Sequence, residues 1–155
     1  MRIGIGYDSH RFAPGRKLIL GGVEIPHAQG LAGHSDADVV AHALTDAILG
    51  AAGLSDIGTM FPNTDPKWRD ADSIRLLKQA YLQAVELRLN FVNADITIIA
   101  EQPKIGPYVD QMRDNLSAAV VSSASHVSVK AKTNEAMGFI GRGEGIAVIA
   151  VALLE

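Results

Sequence analysis

"GIAVIAVALL", residues 145–154, carries no polar side chain from end to end. Side chains along a strand alternate between faces, so a strand of this kind is covered on both sides. The rest of the chain supplies three helical segments, enough to cover one face of a small sheet, and few elements for the other. The expectation is an α+β fold: a mixed β-sheet with helices packed on one face, and sheets of several copies facing one another in a homo-oligomer. The competing arrangement is a monomer in which this is a central strand with helices on both faces.

The segments before it supply the other strands and the helices. Residues 2–8 read as a strand, and "KLILGGVEI" (17–25) as a second strand or hairpin broken at Gly21 and Gly22. Helical spacing begins at Ser35, the expected N-cap, and stops near Gly50 and Gly53. "SDIGTMFPNTDPKWRDAD" (55–72) is rich in turn residues and reads as a long loop. Residues 72–89 follow as an amphipathic helix with Ile74, Leu77, Tyr81 and Val85 along one stripe. A strand over 94–103 sets Ile96 and Ile98 opposite Asp95 and Thr97. Residues 106–120 read as a third helix with Pro107 in its first turn, and 126–133 as a strand with Val127, Val129 and Ala131 on one face.

A chain of 155 residues, 48% hydrophobic and 20% charged, suits one domain over 1–155. A formal charge of −3 gives no basis for binding nucleic acid or an anionic membrane. No apolar run is long enough to span a bilayer, and the opening "MRIGIGYDSH" has no signal core, so a cytoplasmic protein is expected. With no cysteine, any metal must use His, Asp or Glu.

The first strand ends unusually. In "IGIGYDSHRF" (3–12), Asp8 and His10 project to one face and Ser9 to the other. His42, on the first helix, lies in a polar line with Asp38 and Asp46 through otherwise apolar surroundings, and buried polar groups need partners. Asp8, His10 and His42 form a two-His, one-carboxylate set that leaves a coordination position open, as in catalytic zinc sites. The same donors suit manganese or iron. Asp46 is the expected partner that orients an imidazole. His27 and His126 are assigned no role. Gly33, His34 and Ser35 precede a helix, where free N–H groups favour phosphate; an ordinary Ser cap with Asp38 in the capping-box position explains them equally well only if the metal ligand one turn later is set aside. "KAKTNEAMGFIGRGEG" (130–145) places Lys130, Lys132, Thr133, Glu135 and Arg142 among four glycines, donors and a carboxylate suited to phosphate with magnesium. Together these features support a metal-assisted reaction of a phosphate or diphosphate ester.

"GYDSHRF", "GHSDADVVAHALTDAILGA", "DIGTMFPNTDP", "AEQPKIGPY" and "GFIGRGEGIA" occur in order across nearly the whole chain. Together they resemble the 2-C-methyl-D-erythritol 2,4-cyclodiphosphate synthase family of non-mevalonate isoprenoid biosynthesis. The resemblance implies a homotrimer with active sites between neighbours. It implies a phosphorus–oxygen lyase that cyclises 4-diphosphocytidyl-2-C-methyl-D-erythritol 2-phosphate and releases CMP. One zinc, or another divalent transition metal, would sit on Asp8, His10 and His42 of each subunit, and Glu135 would carry magnesium or manganese on the substrate diphosphate. His34 and Thr133 would be the catalytic residues, and Asp8, Ser9, His10, His34 and Ser35 would contact substrate. Asp56, Ile57 and Gly58, with Phe61, Pro62, Asn63, Thr64 and Asp65, would line the methylerythritol region. Ala100, Glu101, Gln102, Pro103, Lys104, Ile105 and Gly106 would enclose the cytidine and phosphates, with Ala131, Lys132, Thr133, Asn134 and Glu135. Phe139 and Arg142 would complete the site. Near Arg142 and Glu144 the family trimer has a cavity on its axis, expected to suit an isoprenoid diphosphate. The chain departs from many relatives at Lys132, where they have Thr, and at Asn63, where they have Asp. The rival enzyme reading is a zinc-dependent phosphohydrolase of a nucleotide or diphosphate ester, and the non-enzyme reading a metal-organised nucleotide-binding oligomer.

Overall fold

The computed structural model describes residues 1–155. In chain order the elements are β1 (Arg2–Ala13), β2 (Leu18–Leu20), β3 (Val23–Ile25), β4 (Gly30–Leu31), α1 (Val39–Ala52), α2 (Ile57–Met60), α3 (Ser73–Glu86), β5 (Phe91–Ile99), α4 (Val109–Ala119), β6 (Val127–Lys132), α5 (Gly138–Gly141) and β7 (Gly145–Leu154). Single 3-10 turns occur at Pro66–Trp68, Gly106–Tyr108 and Ala124–His126. Five strands form one sheet in the order β4-β1-β7-β5-β6, and β2 pairs with β3 in a separate hairpin. β5 and β6 run parallel and the other pairs antiparallel, so the sheet is mixed as the sequence predicts.

β7 is the central strand. Its even-numbered residues, Ile146 to Leu154, are buried against the helices in one core with Ile96, Ile98, Leu44, Ile48, Met112 and Leu116. α1 lies across β1 and β7, α4 packs on β6, and α3 packs on α1 and α4. The opposite sheet face has no helix: Ile3 is 72% exposed, Ile5 70%, Tyr7 55% and Ile149 38%. Within one chain, β7 is therefore covered on one side only.

Gly4 and Gly6 set how closely α1 approaches. A Cβ on Gly4 would stand 2.0 Å from the Ala47 carbonyl oxygen, and one on Gly6 would stand 1.9 Å from that of Ala43. The helix backbone thus rests directly on β1, bringing His42 level with the side chains that follow Gly6 on the same face.

Several boundaries differ from the sequence reading. α1 begins at Val39, with Asp38 rather than Ser35 as its cap. The Asp38 carboxylate accepts from the N–H groups of Val40 and Ala41, and also from Gly21 and Gly22 in the β2–β3 turn. That long-range pairing fixes the start of the helix. Asp72 caps α3, whose buried stripe is Leu76, Leu77, Ala80, Tyr81 and Ala84, while Val85 is exposed. β1 extends to Ala13, β5 covers Phe91–Ile99, and a 3-10 turn precedes α4. The 55–72 loop contains α2 and a 3-10 turn, and Ala131 is exposed although Val127 and Val129 are buried. Gly53 ends α1 in the left-handed conformation, φ 73°.

Burial pushes the Asp38 carboxyl up to about 6 despite its N–H donors, helped by the nearby Asp36 charge. Replacing Asp38 with Ala removes a helix cap and strands two turn N–H groups. The expected loss is about 2–4 kcal/mol in urea unfolding. A loss confined to an exposed cap's few tenths would contradict the tie to Gly21 and Gly22.

Candidate active site

Asp8 and His10 stand two residues apart on the helix-facing side of β1, after Gly4 and Gly6. His42 reaches them from the first turns of α1. The candidate ligand atoms of these three residues all lie within 4.8 Å of one another. His10 Nε2 is 2.8 Å and His42 Nδ1 3.0 Å from Asp8 Oδ2, and the two nitrogens are 3.3 Å apart. Three donors converging on one point, with both imidazoles half-buried or buried, suit a divalent ion better than a hydrogen-bond network, which would need protons between every pair.

The outward nitrogens have separate partners. His10 Nδ1–H donates to the carbonyl oxygen of Ala32 at 2.5 Å. A carbonyl only accepts, so a neutral His10 has the Nε2 lone pair facing Asp8 and His42. His42 Nε2 is 2.9 Å from Ser73 Oγ and 3.1 Å from Ser35 Oγ. Burial would raise the Asp8 carboxyl, but bonds to His10 and His42 and their charge hold it well below the usual carboxylate range. Burial opposes a charged His10, but the bond and charge of Asp8, the Ala32 carbonyl and the Asp38 charge raise its pKa above the ordinary 6.5. A carboxylate kept ionised at the point where both imidazoles converge is the charge a cation requires.

The expectation that Asp46 orients an imidazole is not met. Its Oδ1 accepts from Ile57 N–H at 2.8 Å, fastening α2 to α1, while both His42 nitrogens are engaged elsewhere. Ser73 and the Ala32 carbonyl are the partners the sequence did not single out. In the sequence Ser73 looks like an ordinary residue at a helix start, and a backbone carbonyl leaves no signal in side-chain spacing.

The trio opens into a cavity of about 330 Å³ whose lining includes Gly33, His34, Ser35, Ile57, Gly58, Phe61, Asn63, Trp68 and Leu76. His34 Nε2 is buried there without a hydrogen-bond partner. Phe61 stacks edge-on against Trp68, closing one wall. Ile57, Gly58, Phe61 and Asn63 from the predicted set are thus adjacent to the trio, and Asp56 caps α2 by accepting from Thr59 N–H. Asp65 caps the 3-10 turn by accepting from Lys67 N–H, and its own N–H donates to the Pro62 carbonyl oxygen. A larger, more open cleft of about 970 Å³ lies elsewhere, lined by Arg16, Lys17, Glu24 and Lys78 among others, and touches none of the trio.

A second group gathers where parallel β5 and β6 end. Glu101 Oε1 accepts from the N–H groups of Asn134 and Ala136, joining the 100–106 and 133–136 loops. Thr133 Oγ1 donates to Glu135 Oε1 at 2.9 Å, and Glu135 and Ala136 both have positive φ. Gln102, Pro103, Lys104 and Ile105 lie in the first loop, Gly106 begins the 3-10 turn after it, and Ala131 and Lys132 end β6 beside it. Residues 100–106 and 131–135 line neither the trio's cavity nor the one beside Ser9 and His10. Phe139 and Glu144 share a further cavity with Ser9 and His10, and Arg142 pairs with Glu144 at 2.6 Å.

The YgbB family profile matches residues 1–155. The chain belongs to the YgbB family. A 2-C-methyl-D-erythritol 2,4-cyclodiphosphate synthase from Symbiobacterium thermophilum is 59% identical over 99% of this chain and 98% of its own length. Among solved structures, the bifunctional IspDF from Campylobacter jejuni superposes with a TM-score of 0.95 at 46% identity, covering 99% of this chain and 42% of that one. A CDP complex of IspF from Plasmodium falciparum gives 0.86 at 37% identity, over 99% and 94% of the two chains. Both solved structures superpose over 99% of this chain.

Proposed function

We propose that this YgbB chain is a 2-C-methyl-D-erythritol 2,4-cyclodiphosphate synthase of non-mevalonate isoprenoid precursor biosynthesis, a cyclising lyase that releases CMP. The observation that carries this reading is the convergence of Asp8, His10 and His42 within 4.8 Å at the mouth of a cavity into which an unpartnered His34 faces. The 2-phosphate of 4-diphosphocytidyl-2-C-methyl-D-erythritol 2-phosphate attacks the β-phosphorus. A new phosphorus–oxygen bond closes the ring as the bond from that phosphorus to the CMP oxygen breaks. No protein nucleophile is needed, so the protein acts by positioning and charge neutralisation.

Asp8, His10 and His42 would hold zinc or a similar divalent ion, which supplies Lewis-acid polarisation of the β-phosphate. His34 and the Ser35 hydroxyl hold phosphate oxygens in line, and Ile57 and Phe61 exclude water from the ring-closing position. Thr133 donates to phosphate in place of Glu135, freeing that carboxylate for magnesium or manganese on the diphosphate. Because the 100–106 and 131–135 group lines neither cavity beside the trio, the full site is completed between subunits of a homotrimer. The exposed face bearing Ile3, Ile5, Tyr7 and Ile149 is the surface the subunits share, and Arg142 with Glu144 flanks a central cavity for an isoprenoid diphosphate. Unchanged stability with and without such a diphosphate would remove that last assignment. The protein works in the cytoplasm.

Phosphorus NMR of purified protein with zinc, magnesium and the diphosphocytidyl substrate tests the reaction. The expected products are a cyclic diphosphate and an equal amount of CMP. Hydrolysed phosphate would indicate the phosphohydrolase instead, and binding without turnover a nucleotide-binding oligomer.

The pKa directions add a pH signature. In chelator, the raised His10 stabilises the fold below 6.5 and loses that contribution as pH climbs through its folded value. Asp8, depressed in the fold, contributes above its ordinary 3.8 and loses that only as pH falls through its folded value. Metal binding displaces the His10 proton, so metal-derived stabilisation changes in the opposite sense and grows with pH. The zinc-induced shift in Tm is expected to be larger at roughly pH 8 than at roughly pH 6. An equal shift at both values would contradict proton competition at His10.

A further inference from the structure

Ser73 is fully buried at the first position of α3, remote in sequence from the Asp8–His10–His42 trio. Its hydroxyl lies 2.9 Å from His42 Nε2. The same hydroxyl contacts Asp36 Oδ1, while Ser73 N–H donates to Asp36 Oδ2 at 3.1 Å. An ionised carboxylate can only accept, and a serine has one proton. The Ser73 Oγ–H is therefore committed to Asp36, and Ser73 Oγ must accept the Nε2–H of His42. His42 Nδ1 then presents its lone pair toward Asp8 and His10.

We infer that Asp36 and Ser73 are positioning residues that hold the Nε2 proton of His42 and strengthen Nδ1 as a metal ligand. Neither touches the trio's convergence point; both act through the imidazole. The arrangement parallels the Ala32 carbonyl on His10, but with a carboxylate behind the acceptor, which polarises the imidazole more strongly than a lone hydroxyl. Ser35 Oγ, 3.1 Å from the same nitrogen and 3.3 Å from Ser73 Oγ, accepts from Ala37 N–H and touches no carboxylate itself. The anchoring is also conformational: Asp36 N–H donates to Ala71 O and Asp70 N–H to His34 O, clasping the 34–36 loop against the start of α3.

The inference rests on reading the trio as a metal site, and its test separates the two. Zinc affinity of wild type, Ser73→Ala and Asp36→Asn is measured by chelator competition. In parallel, the exchangeable His42 Nε2–H is observed by proton NMR on the zinc-loaded proteins. Wild type is expected to bind one zinc per chain with a slowly exchanging His42 Nε2–H. Ser73→Ala is expected to bind about 10- to 100-fold more weakly and lose that protected proton. Asp36→Asn, which keeps a neutral acceptor and serves if Ser73→Ala does not fold, is expected to lose several-fold in affinity. Affinity within twofold of wild type in the folded variants, or a His42 proton equally protected in Ser73→Ala, overturns the relay. A wild type that binds no zinc overturns the metal reading itself.

Discussion

Asp8→Asn is expected to lower kcat by about 10³-fold or more, with the chain still folded. Removing a charged donor from a centre meant to stabilise phosphoryl charge forfeits several kcal/mol of transition-state stabilisation. Asn preserves the shape of the side chain, so the result reports charge and ligation rather than a cavity. Asp8 Oδ2 contacts both imidazoles, at 2.8 and 3.0 Å, which makes it the pivot of the trio. The change should also abolish the zinc-induced rise in Tm. Activity within tenfold of wild type, with zinc still bound, would mean that the carboxylate is not a ligand that matters for the chemistry.

Gly6→Ala should be the most disruptive small substitution in the fold. The added Cβ would meet the Ala43 carbonyl oxygen at 1.9 Å and Ala47 N at 2.8 Å, both backbone atoms of α1. No side chain can swing aside, so α1 must lift from β1. Overpacking of this kind costs about 3 kcal/mol. His42 rides on the lifted helix, one residue before Ala43, so metal affinity should fall with stability. Urea unfolding in chelator isolates the first effect and zinc titration the second. A variant as stable as wild type would show that α1 does not rest on β1 as closely as described.

Much of this architecture is legible in the residues. The uninterrupted apolar run of residues 145–154 announces a strand covered on both faces, and its expected span matches β7. The period-two placement of Asp8 and His10 puts both on one face, and helical spacing offers His42 to meet them. Contacts made by residues far apart in sequence are harder to read. Asp38 outcompetes Ser35 as the cap because a distant glycine turn donates to it. Asp46 looks like a partner for His42 by helical spacing, yet it satisfies Ile57 N–H instead. The buried stripe of α3 is shifted toward Leu76 and Ala84 because that helix packs on α1 and α4 as well as closing the site. Ser73 illustrates the limit best: a small polar residue at a helix start gives no hint that its hydroxyl receives a histidine proton.

The most direct test of the account is turnover as a function of metal occupancy. Protein stripped with chelator is titrated with zinc in saturating magnesium and substrate, and phosphorus NMR follows the products. The account predicts no turnover at zero zinc, with cyclic diphosphate and CMP appearing in equal amounts. Their rate should rise in proportion to bound zinc and level off at one ion per chain. Full turnover in the stripped protein, or hydrolysed phosphate as the product, would contradict it.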